Sequence, residues 1–119
     1  LTQDSAAKPS TNTWTVYSDR RLKTDQGLAD LKRCYDIVKS LPLSRFQWRD
    51  GTYTDDDVPD RSKLGWYAQD VRAVFPKSVE TKPAFGISDC LTMNSDQIIA
   101  ALYGAVQLMQ RRIEALEKK

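Results

Sequence analysis

The sequence contains no histidine, and this absence excludes most of the ways in which a small enzyme activates a nucleophile. Ser-His-Asp and Cys-His arrangements both use an imidazole as the base, so neither can be assembled within this chain. An imidazole metal site is excluded for the same reason. Any acid–base chemistry must therefore use lysine, aspartate, glutamate, tyrosine or a chain terminus.

Cysteine is scarce as well. The chain has two, Cys34 and Cys90, and their positions show neither CxxC nor zinc-ligand spacing. We expect both thiols to be buried and unpaired, with a disulfide between them as the alternative. Three adjacent aspartates at 55–57 fit no EF-hand spacing, so we interpret them as a solvated loop tip. The sequence thus predicts no metal site and no cofactor.

The chain also lacks a long apolar run and a strong charge of one sign. No stretch approaches the length of a membrane span, and no signal peptide is visible. Eighteen basic residues against sixteen acidic ones give a net charge of +2, and the basic residues do not cluster. We therefore expect neither a membrane nor a nucleic acid as partner. The 119 residues suffice for one domain, and the initial leucine suggests a fragment of a longer protein.

The first regular pattern that is present is helical. Apolar residues recur at steps of three and four from Leu28 to Leu41, which predicts a helix over 26–40. Asp25 or Thr24 can cap its start, and Pro42 follows its end.

Shorter elements follow this helix. Residues 43–49 alternate apolar and polar side chains, which predicts a half-buried strand, and 64–68 predicts a second strand after an acidic loop. A short amphipathic helix is expected over 69–75, and an irregular segment over 77–93. Before all of these, β-branched and aromatic residues at 13–17 predict an extended segment.

The strongest structural pattern lies at the end of the chain. Asn94 precedes Gln97 by three residues, as in a capping box, and predicts a helix over 95–118. Its apolar residues repeat with a heptad spacing: Ile99, Leu102, Val106, Met109, Ile113 and Leu116. Four more widen the apolar face on one side: Ile98, Ala101, Ala105 and Leu108.

This broad stripe can pack on its own domain or on copies of itself. We favour self-association, because apolar residues so close to the charged end of the chain are best explained by an intermolecular seam. Ile or Val at the a positions with Leu or Met at the d positions favours a coiled coil of two helices. The wide flank instead favours a higher order.

A single pair of residues stands out as a candidate for chemistry. Ser18 and Lys23 are five residues apart, and a lysine can act as base to a serine if burial favours its neutral form. An ordinary lysine, with a pKa near 10.4, is neutral in only about one molecule in a few thousand at pH 7. Taken alone, this spacing is too common to identify a catalytic pair.

The surrounding motif is more specific. Residues 18–25, SDRRLKTD, closely resemble the opening of the C-terminal intramolecular chaperone domains of phage tail spikes and tail fibres, the endosialidase-type S74 peptidases. Residues 41–48, LPLSRFQW, and 64–76, LGWYAQDVRAVFP, resemble further elements of that family in the same order. A related domain occurs in the myelin regulatory factor of animals. The resemblance covers 13–119.

The resemblance implies an α+β, mainly helical fold, with a small antiparallel β element and a long C-terminal helix that forms a trimeric coiled coil. Residues 1–17 would be the end of an upstream stalk, and 18–119 the chaperone domain. The resemblance implies that Ser18 is the nucleophile and that Lys23 is the general base. Asp19 is a weaker candidate that orients Lys23 or the serine amide, against the alternative of a plain turn-forming aspartate.

The implied function is a chaperone that trimerises, guides the upstream fibrous β stalk into register, and then cuts itself off at the Tyr17–Ser18 bond. Its partners would be its own copies and its own stalk. It would belong to a virion fibre or spike assembled in the host cytoplasm, and the released domain would be absent from the mature fibre. Two alternatives remain: a non-cleaving trimeric adaptor of a viral fibre, and a docking domain whose terminal helix packs on a partner protein.

Overall fold

The computed structural model describes residues 10, 16–54, 56 and 58–119. Within them, three α-helices are combined with two separate two-stranded antiparallel sheets, and the last helix is the longest. The predicted α+β class with a long C-terminal helix is confirmed. Most of the extended segment predicted at 13–17, and two of the three adjacent aspartates, lie outside the described residues.

The first helix, α1, spans Leu31–Ser40 and begins later than the predicted position 26. Asp30 stands in an extended conformation and its carboxylate accepts hydrogen bonds from two backbone N–H groups of the first turn, so Asp30 is the cap. Gly27 has a φ of +93°, which lies outside the range of a right-handed α-helix. Leu28, predicted to lie on the apolar stripe, is consequently fully exposed.

The next two strands form a hairpin. β1, Ser44–Gln47, pairs antiparallel with β2, Ser62–Gly65, so that Ser44 lies opposite Gly65. The second strand thus begins two residues before the predicted start at 64 and ends three residues before the predicted end at 68. The connecting loop is held by Arg61, whose guanidinium donates to the backbone carbonyls of three loop residues: Trp48, Arg49 and Tyr53.

The second helix, α2, spans Ala68–Val74, close to the prediction. After it, β3, Val79–Thr81, pairs antiparallel with β4, Leu91–Met93. The prediction that 77–93 is irregular was therefore wrong. Each strand has only three residues, which is too short for an alternation pattern to be recognised.

The third helix, α3, spans Ser95–Glu117 and confirms the prediction to within one residue. Asn94 is its cap, since its side chain accepts a hydrogen bond from the backbone N–H of Asp96. The start of α3 is tied to the β3–β4 pair by Ser78, which is buried. Its hydroxyl donates to the backbone carbonyl of Asn94, and its own carbonyl accepts from the Asn94 N–H at 2.7 Å.

The main packing contact of the fold joins α1 to α3. The buried residues of α3 are Ile98, Ala101, Gly104 and Ala105, and α1 contributes Ile37. Three of these α3 residues are small, which lets the two helices approach closely. The apolar flank that was expected to favour a higher oligomeric order is thus largely buried within a single chain, so its width gives no support to a higher order.

Both cysteines are free, as predicted, but each is partly exposed rather than buried. Cys34 of α1 lies directly against Gly104 of α3. A Cβ atom placed on Gly104 would lie 2.7 Å from its Sγ and 2.9 Å from its Cβ, both shorter than ordinary van der Waals contact.

Gly104→Ala is therefore expected to destabilise the protein by about 1–3 kcal/mol, as overpacking does in well-packed cores. In an unconstrained helix the same change would be stabilising by about 1 kcal/mol, because alanine is the better helix former. Urea denaturation followed by circular dichroism measures the difference. Cys34→Ala in the same background removes the Sγ contact and should restore part of the loss. A Gly104→Ala variant more stable than the wild type would contradict this packing.

The heptad residues lie outside this contact. Ile99, Leu102, Val106, Met109, Ile113 and Leu116 are between 37% and 64% exposed in the single chain. The stripe predicted to form the seam is therefore accessible to solvent in the single chain.

Candidate active site

The two residues of the candidate pair meet in the structure. Lys23 Nζ donates a hydrogen bond to Ser18 Oγ over 2.6 Å. A 3-10 turn, Arg20–Leu22, lies between them and is closed by a hydrogen bond from the Lys23 N–H to the Arg20 carbonyl. Because the turn is tight, side chains five residues apart come into contact.

Asp19 is the N-cap of this turn. Its carboxylate accepts from the Arg21 backbone N–H at 2.8 Å and from Arg21 Nη2 at 2.7 Å. The hydrogen bond from the Arg21 side chain, followed by the one from its backbone, lowers the pKa of Asp19, so the carboxylate stays ionised at neutral pH. The same side-chain contact raises the pKa of Arg21. Asp19 therefore has the turn-forming role that was its alternative interpretation, and its carboxylate engages Arg21 rather than Lys23.

Asp25 closes the other side of the turn. Its Oδ2 accepts from Arg20 Nη2 at 2.7 Å, and its Oδ1 accepts from the Gly27 backbone N–H at 2.8 Å. The prediction of Asp25 as a cap of α1 was wrong, because Asp30 fills that position. An aspartate two residues before a glycine is typical of an Asx turn, and this signal in the sequence pointed to the observed role.

The whole segment that carries the pair is exposed. Every residue from 16 to 30 is in contact with solvent in the single chain, and Tyr17 is 83% exposed. An open groove between α2 and the β3–β4 pair contains none of these residues. In the single chain, Ser18 and Lys23 are therefore preorganised by local contacts, without the enclosure that a catalytic site usually has.

Two further observations concern other kinds of site. Among the residues that the structure describes, no group of three or more His, Cys, Asp or Glu side chains is arranged to hold a metal ion. None of the helices in that part of the chain has the length and apolar composition that crossing a membrane requires.

The match to a known protein family begins at Ser18. The family model described as chaperone of endosialidase, which comprises the S74 peptidases, matches residues 18–80. The chain belongs to this family. The matched span opens on Ser18 and extends through both strands of the first hairpin and α2 into β3, which is more than half of the chain. No curated protein matches the sequence. Membership of the endosialidase chaperone family gives the chain a chaperone role and a peptidase-related domain.

Proposed function

We propose that the chain is an intramolecular trimerisation chaperone of a viral tail fibre or spike, which releases itself by cutting the Tyr17–Ser18 bond. The observation that carries this proposal is the 2.6 Å contact between Lys23 Nζ and Ser18 Oγ. It lies at the first residue of the span that matches the endosialidase chaperone family.

In the proposed reaction, neutral Lys23 takes the proton of the Ser18 hydroxyl, and Oγ attacks the carbonyl carbon of Tyr17 through a five-membered ring. The bond from that carbon to the Ser18 nitrogen then breaks as the lysine returns the proton to the nitrogen. The product is an ester between Tyr17 and Ser18. Water hydrolyses this ester and frees the Tyr17 carboxylate and the Ser18 hydroxyl. No histidine is needed at any step.

Assembly is proposed to switch the reaction on. A base must be neutral, and an amine in water at neutral pH is mostly charged, whereas burial favours the neutral form. The segment around the pair is exposed in the single chain, and so is the heptad stripe on α3. The proposal therefore requires that assembly along this stripe also covers the segment that carries Ser18 and Lys23.

This coupling suits a fibrous stalk. Long-range β pairing between chains is slow, and joining three chains first raises their local concentration and sets their register. Once the chaperone is cut away, the template that set the register of the stalk is gone. The folded stalk is then kinetically trapped. We place the precursor in the virion fibre as it assembles in the host cytoplasm, with the released domain absent from the mature fibre.

The proposal is tested on the intact chain under native conditions, by denaturing mass spectrometry at successive times and light scattering of the same sample. We expect a product that begins at Ser18 and lacks residues 1–17, and particles of three times the chain mass. A trimer that stays uncut would contradict self-cleavage and favour the non-cleaving adaptor. An uncut single chain would contradict both.

A further inference from the structure

We propose that Asp25 is a positioning residue for the self-cleavage reaction, which keeps the Lys23 amine on the Ser18 hydroxyl without touching either. This inference rests on the proposed function. The observation behind it is that the two carboxylate oxygens of Asp25 accept hydrogen bonds from two different residues.

The two oxygens hold points on opposite sides of Lys23. Oδ2 binds the guanidinium of Arg20, the first residue of the 3-10 turn, at 2.7 Å. Oδ1 binds the backbone N–H of Gly27, four residues after Lys23, at 2.8 Å. Gly27 has a φ of +93°, a conformation that glycine adopts without strain. Asp25 thus closes a short loop around the lysine.

The other contacts of the turn leave Lys23 less constrained. Asp19 binds Arg21 and so fixes the entrance of the turn. Lys23 itself follows the turn in an extended conformation and is exposed, and a lysine side chain has several rotatable bonds to order. The direction in which the chain leaves the turn decides whether the amine reaches Ser18. The backbone bond from the Lys23 N–H to the Arg20 carbonyl fixes the first residue after the turn, and Asp25 holds the chain that follows.

The expected effect is modest, because exposed ion pairs are worth little. Asp25→Asn keeps an oxygen for the Gly27 N–H but loses the charge that binds Arg20, and should slow cleavage by about threefold. Asp25→Ala loses both contacts and should slow it by about tenfold. Rates are measured as the appearance, by mass spectrometry, of the product that begins at Ser18.

A double-mutant cycle separates positioning from a general loss of structure. Arg20→Ala alone should slow cleavage about as much as Asp25→Asn, and the double variant should be no slower than either, because both remove the same contact. High salt should slow the wild type toward the rate of Asp25→Asn and should affect that variant less, because of the two ion pairs of the turn it keeps only Asp19 with Arg21. The trimer mass and melting temperature should stay at wild-type values in every variant.

The matched control is Asp36→Asn. It breaks another exposed ion pair of an aspartate with a basic side chain, Lys32 with Asp36 at 2.5 Å on α1, and should leave the cleavage rate unchanged. If Asp25→Asn and Asp25→Ala both cut at the wild-type rate, or if the Arg20 and Asp25 effects multiply, positioning by Asp25 is wrong while the proposed function stands. A wild type that never cuts overturns both.

Discussion

Lys23→Ala is expected to leave the chain uncut on the timescale in which the wild type is fully processed. Removal of a general base slows a reaction by about a hundredfold to ten-thousandfold, and no histidine is present to replace the lysine. Ser18→Ala, which removes the nucleophile, should give the same intact mass. Both side chains are exposed in the single chain, so neither change should disturb folding.

Lys23→Arg distinguishes the base from the charge. Arginine keeps the positive charge and can still donate to Ser18 Oγ, but it does not lose its proton in proteins. We expect Lys23→Arg to be as inactive as Lys23→Ala. Lys32→Ala, a change at another exposed lysine in α1, is the matched control and should cut normally. The readout is the fraction of intact chain in denaturing mass spectrometry over time.

Two results would overturn these assignments. Normal cutting by Lys23→Ala would show that Lys23 is not the base. Substantial cutting by Lys23→Arg would show that the charge of Lys23, rather than proton transfer, supports the reaction.

The sequence was informative where a pattern ran long enough. The heptad repeat and the Asn94 cap predicted α3 to within one residue, and alternation predicted β1. It failed where a local contact competes with periodicity. The apolar spacing continues back to Leu28, but the Asp30 cap and the positive φ of Gly27 start α1 at Leu31. The strands β3 and β4 were too short to show any period.

The candidate site shows the same division. The family resemblance of the motif that opens on Ser18 made Ser18 and Lys23 a candidate pair, but spacing alone gave no reason for a lysine five residues away to reach the serine. The structure has a 3-10 turn between the two residues, flanked by two aspartates that each bind an arginine. Exposed pairs of this kind leave no hydrophobic pattern, so only coordinates reveal which arginine binds which aspartate.

The breadth of the apolar face on α3 was misleading for a different reason. One helix can present two adjacent apolar surfaces to two different partners. In the sequence these surfaces look like a single broad apolar face. Here Ala101 and Ala105 are buried within the chain, whereas Val106 and Met109 remain exposed. Because the flank packs against α1, the width of the apolar face no longer indicates how many copies assemble. The a and d residues by themselves favour a two-stranded coiled coil. The proposal of three copies now rests on the family resemblance.

Val106→Asp is expected to abolish both assembly and cleavage. Val106 lies in the middle of the heptad stripe and is 50% exposed in the single chain, so an aspartate there should leave the α1–α3 packing intact. In an assembled seam, the carboxylates of all copies would be buried close together without a partner, at a cost of several kcal/mol. Light scattering should therefore report the mass of one chain.

Gln107→Asp is the matched control. It places the same residue one position further along the same helix, on an exposed site outside the heptad stripe, with the same helix propensity and charge. We expect it to assemble and to cut like the wild type. If Val106→Asp still assembles, the stripe is not the interface.

The coupling between assembly and chemistry is decided by the rate in the Val106→Asp variant. If burial in the assembly is what makes Lys23 a base, the separated chains keep the 2.6 Å contact with Ser18 and still do not cut. Dilution of the wild type should then slow cleavage once the concentration falls below that needed for assembly. A single chain that cuts at the full rate would mean that the local turn is sufficient, and that assembly and cleavage are independent.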